Sequence, residues 1–358
     1  MNVKRIGSVL TRAAIVWAAV LATTGLTHAG DHDRDVLVLA STNNPGGNDV
    51  VVFRLDATST PSLSLADTIS TGGKGGASGN GGILQFQDDL GAVANYGSNS
   101  VSQLARFGNF ISVTTNINLA PNCVHPDSVA LSKDQLFVVG TNCAESHSWP
   151  SGKVDGLAVK LTDSSAAQIA VGKTWAAVTM TSGSVVQLPL AWRQGPLQGT
   201  GTTITLPSDA NNTPLGEAFW GNVLGFTPAH SPDSFAVVDK NRNLVPILGP
   251  APAYPSNAPC WVAKGPGSLW YTGNAPANAI SEFFTDKQGG VFYKSVPLPG
   301  SPTDITVSAD QKWLAVIYTA SGQGYIAVFS IDRHGDLTPV TTTSPIGVAS
   351  FNGVAISE

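Results

Sequence analysis

A handful of side chains in this 358-residue sequence stand where chemistry could gather. His125 precedes a proline in NCVHPDSVAL, Glu217 interrupts the apolar run PLGEAFWGN, Arg193 lies in LPLAWRQGP and Arg242 in DKNRN. A histidine or a glutamate can take a proton from water, and a guanidinium can hold a carboxylate or a developing oxyanion through two parallel hydrogen bonds. His125, Glu217, Arg193 and Arg242 are therefore the catalytic candidates. Asn99, Asn142, His147, Trp149 and His230 are candidates for contacting a substrate. Each has a competing structural reading: a histidine that caps a strand, an arginine solvated in a turn, a tryptophan packed on a rim.

Other chemistries lack their residues. There is no H-E-x-x-H, no C-x-x-C and no close histidine cluster, so no metal and no cofactor is expected. Asp31-His32-Asp33 near the N-terminus is a weak exception. The glycine-rich stretch TGGKGGASGNGG, residues 71–82, invites a phosphate reading. However, Lys74 is followed by Gly75 rather than Ser or Thr, no G-x-G-x-x-G register fits, and the following segment reads as a strand where both phosphate motifs need a helix. The glycines are expected to serve a tight crossing, with backbone amides free to face a small anion or carbonyl. Gly97-Ser98-Asn99 reaches Val101 where a nucleophile elbow needs glycine.

The elements that must position these residues are short strands. Gly and Pro together make up 61 of the residues, charged residues only 12%, and Val, Thr and Ile are frequent. A net charge of −5 argues against a nucleic-acid partner. Lys4, Arg5 and Arg12 precede the apolar run Ala13–Leu26, and Thr27-His28-Ala29 follows. That order predicts a signal peptide over residues 1–29, an exported (periplasmic or extracellular) protein, and no membrane attachment after cleavage. The remaining residues, 30–358, are expected to form one domain and a monomer.

Self-similarity gives the architecture. PDSVALSKDQLFVV from residue 126 and PTDITVSADQKWLAVIY from residue 302 share a proline, an alternating strand, a serine, an Asp-containing turn and a second strand. Weaker copies begin near Gly82, Gln168, Asn222, Pro259 and Asn352. Seven copies, each with up to four strands, predict an all-β fold: a seven-bladed β-propeller. The last copy supplies one strand, and the N-terminal DVLVLAS and VVVFRL read as second and third strands. The C-terminal strand is thus expected to close the N-terminal blade, hiding both edges.

GGKGGASGNGGILQF followed by AVANYGSNSVSQL resembles the lactonase-type seven-bladed propellers, which include 6-phosphogluconolactonase and the carboxymuconate-lactonizing enzymes. The resemblance rests on the Gly-rich crossing, the inner strand and the turn carrying Asn95, Gly97, Ser98, Asn99 and Val101, and on the outer hairpin YIAVFSIDRHGDLTPV. It implies a metal-independent site at one mouth of the central channel, where a small lactone is opened or closed by His, Arg and Glu side chains. Pro228-Ala229-His230 is the counterpart of a family Gly-Pro-Arg-His segment, without the arginine.

In a propeller the start of each inner strand and the turn between its second and third strands share one face. His125 is expected before the third inner strand, Glu217 before the fifth, Arg242 in the strand 2–3 turn of the fifth blade, and His147 and Trp149 in a long strand 2–3 loop of the third. Asparagine recurs at such turns as Asn44, Asn99, Asn142, Asn241 and Asn274, which suits turn chemistry or a ring of amides. Two functions remain open: turnover of a small-molecule lactone, or non-catalytic binding of a carbohydrate-like ligand, peptide or partner protein on that face. Cys123 and Cys143 are expected to face each other across a hairpin and form a disulfide, with Cys123–Cys260 the alternative.

Overall fold

The computed structural model describes residues 34–358, apart from 78–80, 207–212, 230–233, 240, 242, 249–257, 286–289 and 348–350. The described residues form twenty-eight strands, β1 to β28 in chain order, in seven four-stranded antiparallel sheets. These are the seven blades of a propeller. The inner strands are β28 (Val354–Ser357) in blade 1, β4 (Leu84–Gln87), β8 (Pro126–Leu131), β12 (Ala166–Val171), β16 (Pro214–Trp220), β20 (Pro259–Lys264) and β24 (Ser301–Val307). The candidate signal segment and Asp31-His32-Asp33 lie outside the described residues.

Burial follows position in the blade. Second strands such as β9 (Gln135–Gly140, QLFVVG) and β13 (Trp175–Met180, WAAVTM) are buried throughout, because both faces of a sheet are covered by neighbouring blades. The outer strand β3 (Ser62–Ser70, SLSLADTIS) is largely exposed. Each core therefore lies between two blades. One such core joins Val38, Phe53, Ile317 and Val328 of the first and last blades.

The ring closes as the repeat pattern predicts. β28 pairs with β1 (Val36–Ser41), Leu37 opposite Ser357 and Ala40 opposite Val354, and β1 continues to β2 (Asp49–Asp56) and β3. The fifth repeat is phased one strand earlier than the sequence suggested. Asn222 sits in the turn after β16, and Glu217 lies inside that inner strand rather than ahead of it.

A second regularity is hidden in the strands. In blades 3 to 7 the register between first and second strands slips at one place, after Pro126, Ala166, Pro214, Pro259 and Pro302. The slip releases Ser128, Gln168, Glu217, Trp261 and Asp304 at one level of the ring, as β-bulges re-aim side chains. Ser128 Oγ accepts from Ile169 N–H of the next blade (3.3 Å), the Gln168 amide spans to Glu217 N–H and C=O (3.1 and 2.9 Å), and Asp304 accepts from Val354 N–H (3.1 Å). This belt is the waist of the channel.

Candidate functional site

On the upper face, where the inner strands begin, blades 2 and 3 bring together Tyr96, Asn99, His125 and Asp127. His125 has φ of 54°, in the left-handed region, a conformation that costs a non-glycine residue about 1–3 kcal/mol and is held by its surroundings. Two contacts hold it. Its N–H donates to Asn99 Oδ1 (2.7 Å), and its ring stacks on Tyr96 with centroids 4.5 Å apart. Asn99 is itself left-handed, at φ 52°, after the short 3-10 turn Tyr96–Ser98.

His125 Nδ1 lies 3.2 Å from the carbonyl oxygen of Tyr96. A carbonyl only accepts, so Nδ1 carries a hydrogen, and in the neutral ring Nε2 then carries the lone pair. The exposed ring is thus set in the tautomer a general base needs. Burial, and after it the charge of Asp127, push the Tyr96 hydroxyl upward, so it stays a neutral phenol. Asp127 itself is buried. The sequence offered a signal for Asp127 and Asp304: both follow the proline that opens their repeats, PDSVAL and PTDITV.

The glycine-rich crossing also belongs to this face, and its amides are spent internally. Gly76 and Ala77 N–H donate to Asn43 Oδ1, Lys74 N–H to Ser98 Oγ and Gly75 N–H to Asn44 C=O. The expected anion-holding amides are therefore engaged. Glycine is required by close approach: a Cβ at Gly75 would fall 2.3 Å from the Asn43 carbonyl carbon.

Glu217 sits at the waist, 2% exposed, and neither carboxyl oxygen has a hydrogen-bond partner. Burial pushes its carboxyl well above the ordinary range, opposed by Ala170 and Thr179 N–H groups that approach without forming good bonds. Close by, a Cβ on Gly81 would fall 2.4 Å from Gln168 Oε1 and 3.3 Å from Trp261 Cδ1, so blades 2, 4 and 6 meet there. Below this contact the channel holds a cavity of about 270 Å³. Its lining residues lie at the waist or downstream of it, towards the lower face of strand 1–2 turns, and include Glu217, Asp304, Thr306 and Lys264.

The remaining candidates do not converge. Arg193 is exposed in the turn between β14 (Ser184–Pro189) and β15 (Thr202–Thr205), on the lower face, where Gln194 N–H bonds Lys173 C=O. His147 and Trp149 are not in a strand 2–3 loop. His147 lies within β10 (Cys143–Ser148), fully buried, with Nε2 2.8 Å from Glu145 Oε1 and Nδ1 3.1 Å from Gly152 C=O. Trp149 follows it and packs into the core shared by the first three blades. The third strand, CAESHS, has neither β-branched residues nor apolar alternation, so nothing local distinguishes it from a loop. Asn142 does occupy the strand 2–3 turn of blade 3, donating to Asn122 C=O (3.3 Å). Asn44 and Asn274 sit at strand 2–3 turns of blades 1 and 6, whereas Asn241 lies between β18 (Ser234–Asp239) and β19 (Leu244–Leu248), a strand 3–4 turn. Arg242 and His230 lie outside the described residues.

The disulfide joins Cys123 and Cys143, Cα atoms 5.4 Å apart, and Cys260 is free. The geometry differs from a cross-strand pair: Cys123 precedes β8, and Cys143 opens β10 opposite Gly140. The bridge therefore ties the approach to His125 to the strand 2–3 turn. No helix among the described residues is long and apolar enough to cross a membrane.

No family model matches this chain, and no curated protein does. Solved structures do. A protein from Lactobacillus plantarum superposes with a TM-score of 0.68 at 13% identity, covering 91% of this chain and 100% of its own. A "putative 6-phosphogluconolactonase" from Bacteroides fragilis gives 0.66 at 11%, covering 91% and 99%. A virginiamycin B lyase from Staphylococcus aureus gives 0.54 at 13%, covering 78% and 94%. At these identities the likeness carries the fold and not the chemistry.

Proposed function

We propose that this propeller turns over a small lactone at its upper face, with His125 as the base that activates water. The observation that carries the reading is the fixed tautomer of an exposed imidazole on a left-handed backbone. Such conformations persist where surrounding contacts over-determine them, and they cluster at functional positions.

In this reading Nε2 takes a proton from water and the hydroxide adds to the lactone carbonyl. The tetrahedral intermediate collapses with loss of the ring oxygen, which takes the proton back from Nε2 to leave a hydroxy acid. The Asn99 side chain uses its oxygen on His125 N–H, which leaves its amide hydrogens for the developing oxyanion. Neighbours of the same fold include the "putative 6-phosphogluconolactonase", which agrees with this reaction class.

A second reading has its own support. Arg193 is on the opposite face from His125, so the expected base-and-guanidinium pairing is not assembled from it. Non-catalytic binding of a carbohydrate-like ligand, peptide or partner on the upper face needs no such pairing.

Proton release by residues 30–358 against sugar and muconate-type lactones decides between them. Turnover is expected in the parent protein, reduced at least a hundredfold in His125→Gln and more modestly in Asn99→Ala, with circular dichroism unchanged. No proton release from any lactone would overturn the enzymatic reading and leave the binding one.

A further inference from the structure

We propose that the lower half of the central channel is a second binding site, reached from the face opposite His125, which takes an uncharged hydrogen-bonding ligand of about sugar size and excludes anions. The space is there. A volume of about 270 Å³ corresponds to roughly nine waters at liquid density. The contact of Gly81 with Gln168 and Trp261 lies at its upper end, and His125 is three residues upstream of the waist residue Ser128.

The polar groups define the ligand. Glu217 and Asp304 both border the cavity, and both are nearly inaccessible to bulk water, at 2% and 3% exposure. The two oxygens of Glu217 have only the loose approach of Ala170 and Thr179 N–H and no good hydrogen bond, an arrangement that leaves room for a ligand or ordered water. Asp304 spends its oxygens on Ile305 N–H (2.9 Å) and Val354 N–H (3.1 Å). Burial pushes Asp304 up to about 7, so below that pH its carboxyl offers an O–H donor as well as acceptors; burial pushes Glu217 upward as well. Thr306 adds a hydroxyl to the lining.

Among the described lining residues no cation is free for an anion. Lys264 is the cationic residue in the lining, and its ammonium donates to Gly265, Gly267 and Leu269 C=O at 2.6, 2.7 and 3.0 Å. An ammonium has three N–H groups, so all are committed. It also lies between the rings of Trp220 and Trp270, 5.2 and 5.1 Å from their centroids. A carboxylate or phosphate drawn into the channel would lose its water and meet two carboxyl groups. An uncharged polyol can accept from an acid O–H and donate to the carbonyl oxygen beside it.

Isothermal titration calorimetry on the full chain at pH 6 tests this with glucose, myo-inositol, glucosamine and glucose 6-phosphate. Saturable binding of at least one uncharged probe is expected, with glucose 6-phosphate at least tenfold weaker. Thr306→Phe and Ala218→Phe, two independent fillings of the same space, should each abolish binding, while His125→Gln leaves it intact. Thr306→Lys should reverse the preference by providing a free ammonium. Glucose 6-phosphate or glucosamine binding as tightly as glucose would overturn the proposal. So would uncharged ligands binding to both filled variants, or failure of both uncharged probes to bind. Because the readout is binding in the channel, failure of lactone turnover at His125 leaves it unaffected.

Discussion

The imidazole of His125 lies flat on the ring of Tyr96, interplanar angle 19°, while its Nδ1 faces that same residue's carbonyl oxygen. One residue thus fixes both the plane and the tautomer of the other. The relationship crosses blades, since Tyr96 follows β5 (Leu90–Asn95) in blade 2 and His125 leads into blade 3. Alignment of the two blades therefore sets the direction of Nε2.

This arrangement separates backbone strain from chemistry. His125→Gly removes the ring and relieves the φ of 54°. Unfolding free energy is expected to stay within about 1 kcal/mol of the parent, because strain relief offsets the lost stacking. Lactone turnover should fall by about 10² to 10⁴, the range for removal of a general base. Urea titration beside proton-release kinetics reads both.

The disulfide bears on the same position. Cys123 and Cys143 are 20 residues apart, and a cross-link over a loop of that length contributes about 3 kcal/mol. Cys123 lies two residues before His125. Replacing both cysteines with serine is expected to lower stability by about that amount and to reduce turnover even where the protein remains folded. Denaturation midpoints and rates of the parent should match the double variant in the presence of reductant and exceed it in its absence.

A buried hydrogen-bonded pair lies on the third strand of blade 3, and its glutamate reaches the crossing from blade 2. Glu145 and His147 are both fully buried, and Glu145 also accepts from Ala120 N–H (3.1 Å). Both ring nitrogens of His147 have oxygen partners, Glu145 Oε1 and Gly152 C=O. His147→Ala should destabilise by about 1–3 kcal/mol, because Glu145 Oε1 loses its side-chain partner while staying buried. Replacing both with apolar residues of similar volume should cost much less. A double-mutant cycle in urea gives the coupling directly.

Stability should decline as the pH rises towards neutrality. Burial pushes Asp304 from the ordinary 3.8 up to about 7, against the opposing bonds from Ile305 and Val354 N–H. Burial likewise pushes Glu282 from 4.5 up to about 7, with Lys294 opposing. A raised acid means the folded chain keeps a proton that the unfolded chain releases. The stabilisation is full below about pH 4 and is lost as pH climbs through about 7. Urea midpoints at pH 5 and pH 8 should therefore differ, the lower pH being the more stable. Asp304→Asn should reduce the difference by removing one of these titrations.

Much of the architecture was legible in the sequence because it repeats. The shared pattern of PDSVAL and PTDITV, with glycine and proline at regular intervals, identified seven units, and the odd strand at the C-terminus predicted the closing pair with β1. The site was less legible. Glu217, His125 and Arg193 look equivalent as scarce charged residues, yet they fall at the waist, the upper face and the lower face. Distinguishing them needs the strand phase to within one residue, and a bulge after each opening proline shifts that phase. His147 and Glu145 are two apart on one strand face, but their burial depends on blade 2 covering them, which no local pattern records. Asn99 was legible through its left-handed turn, a short-range consequence of Asn-Tyr-Gly-Ser-Asn, whereas its bond to His125, 26 residues on at the next blade, was not.

The pairing of β28 with β1 carries a kinetic consequence. Blades 2 to 7 can each form from neighbouring segments, whereas Leu37 and Ser357, which pair across the seam, are 320 positions apart. The entropy of bringing such ends together grows only logarithmically, about 0.6 kcal/mol for each doubling of the loop. The seam is thus inexpensive in equilibrium terms and slow in time, since non-local pairings form late. An open ring with β1 exposed along one edge is the species expected to accumulate just before the native state. That edge is also where one chain could lend its last strand to another.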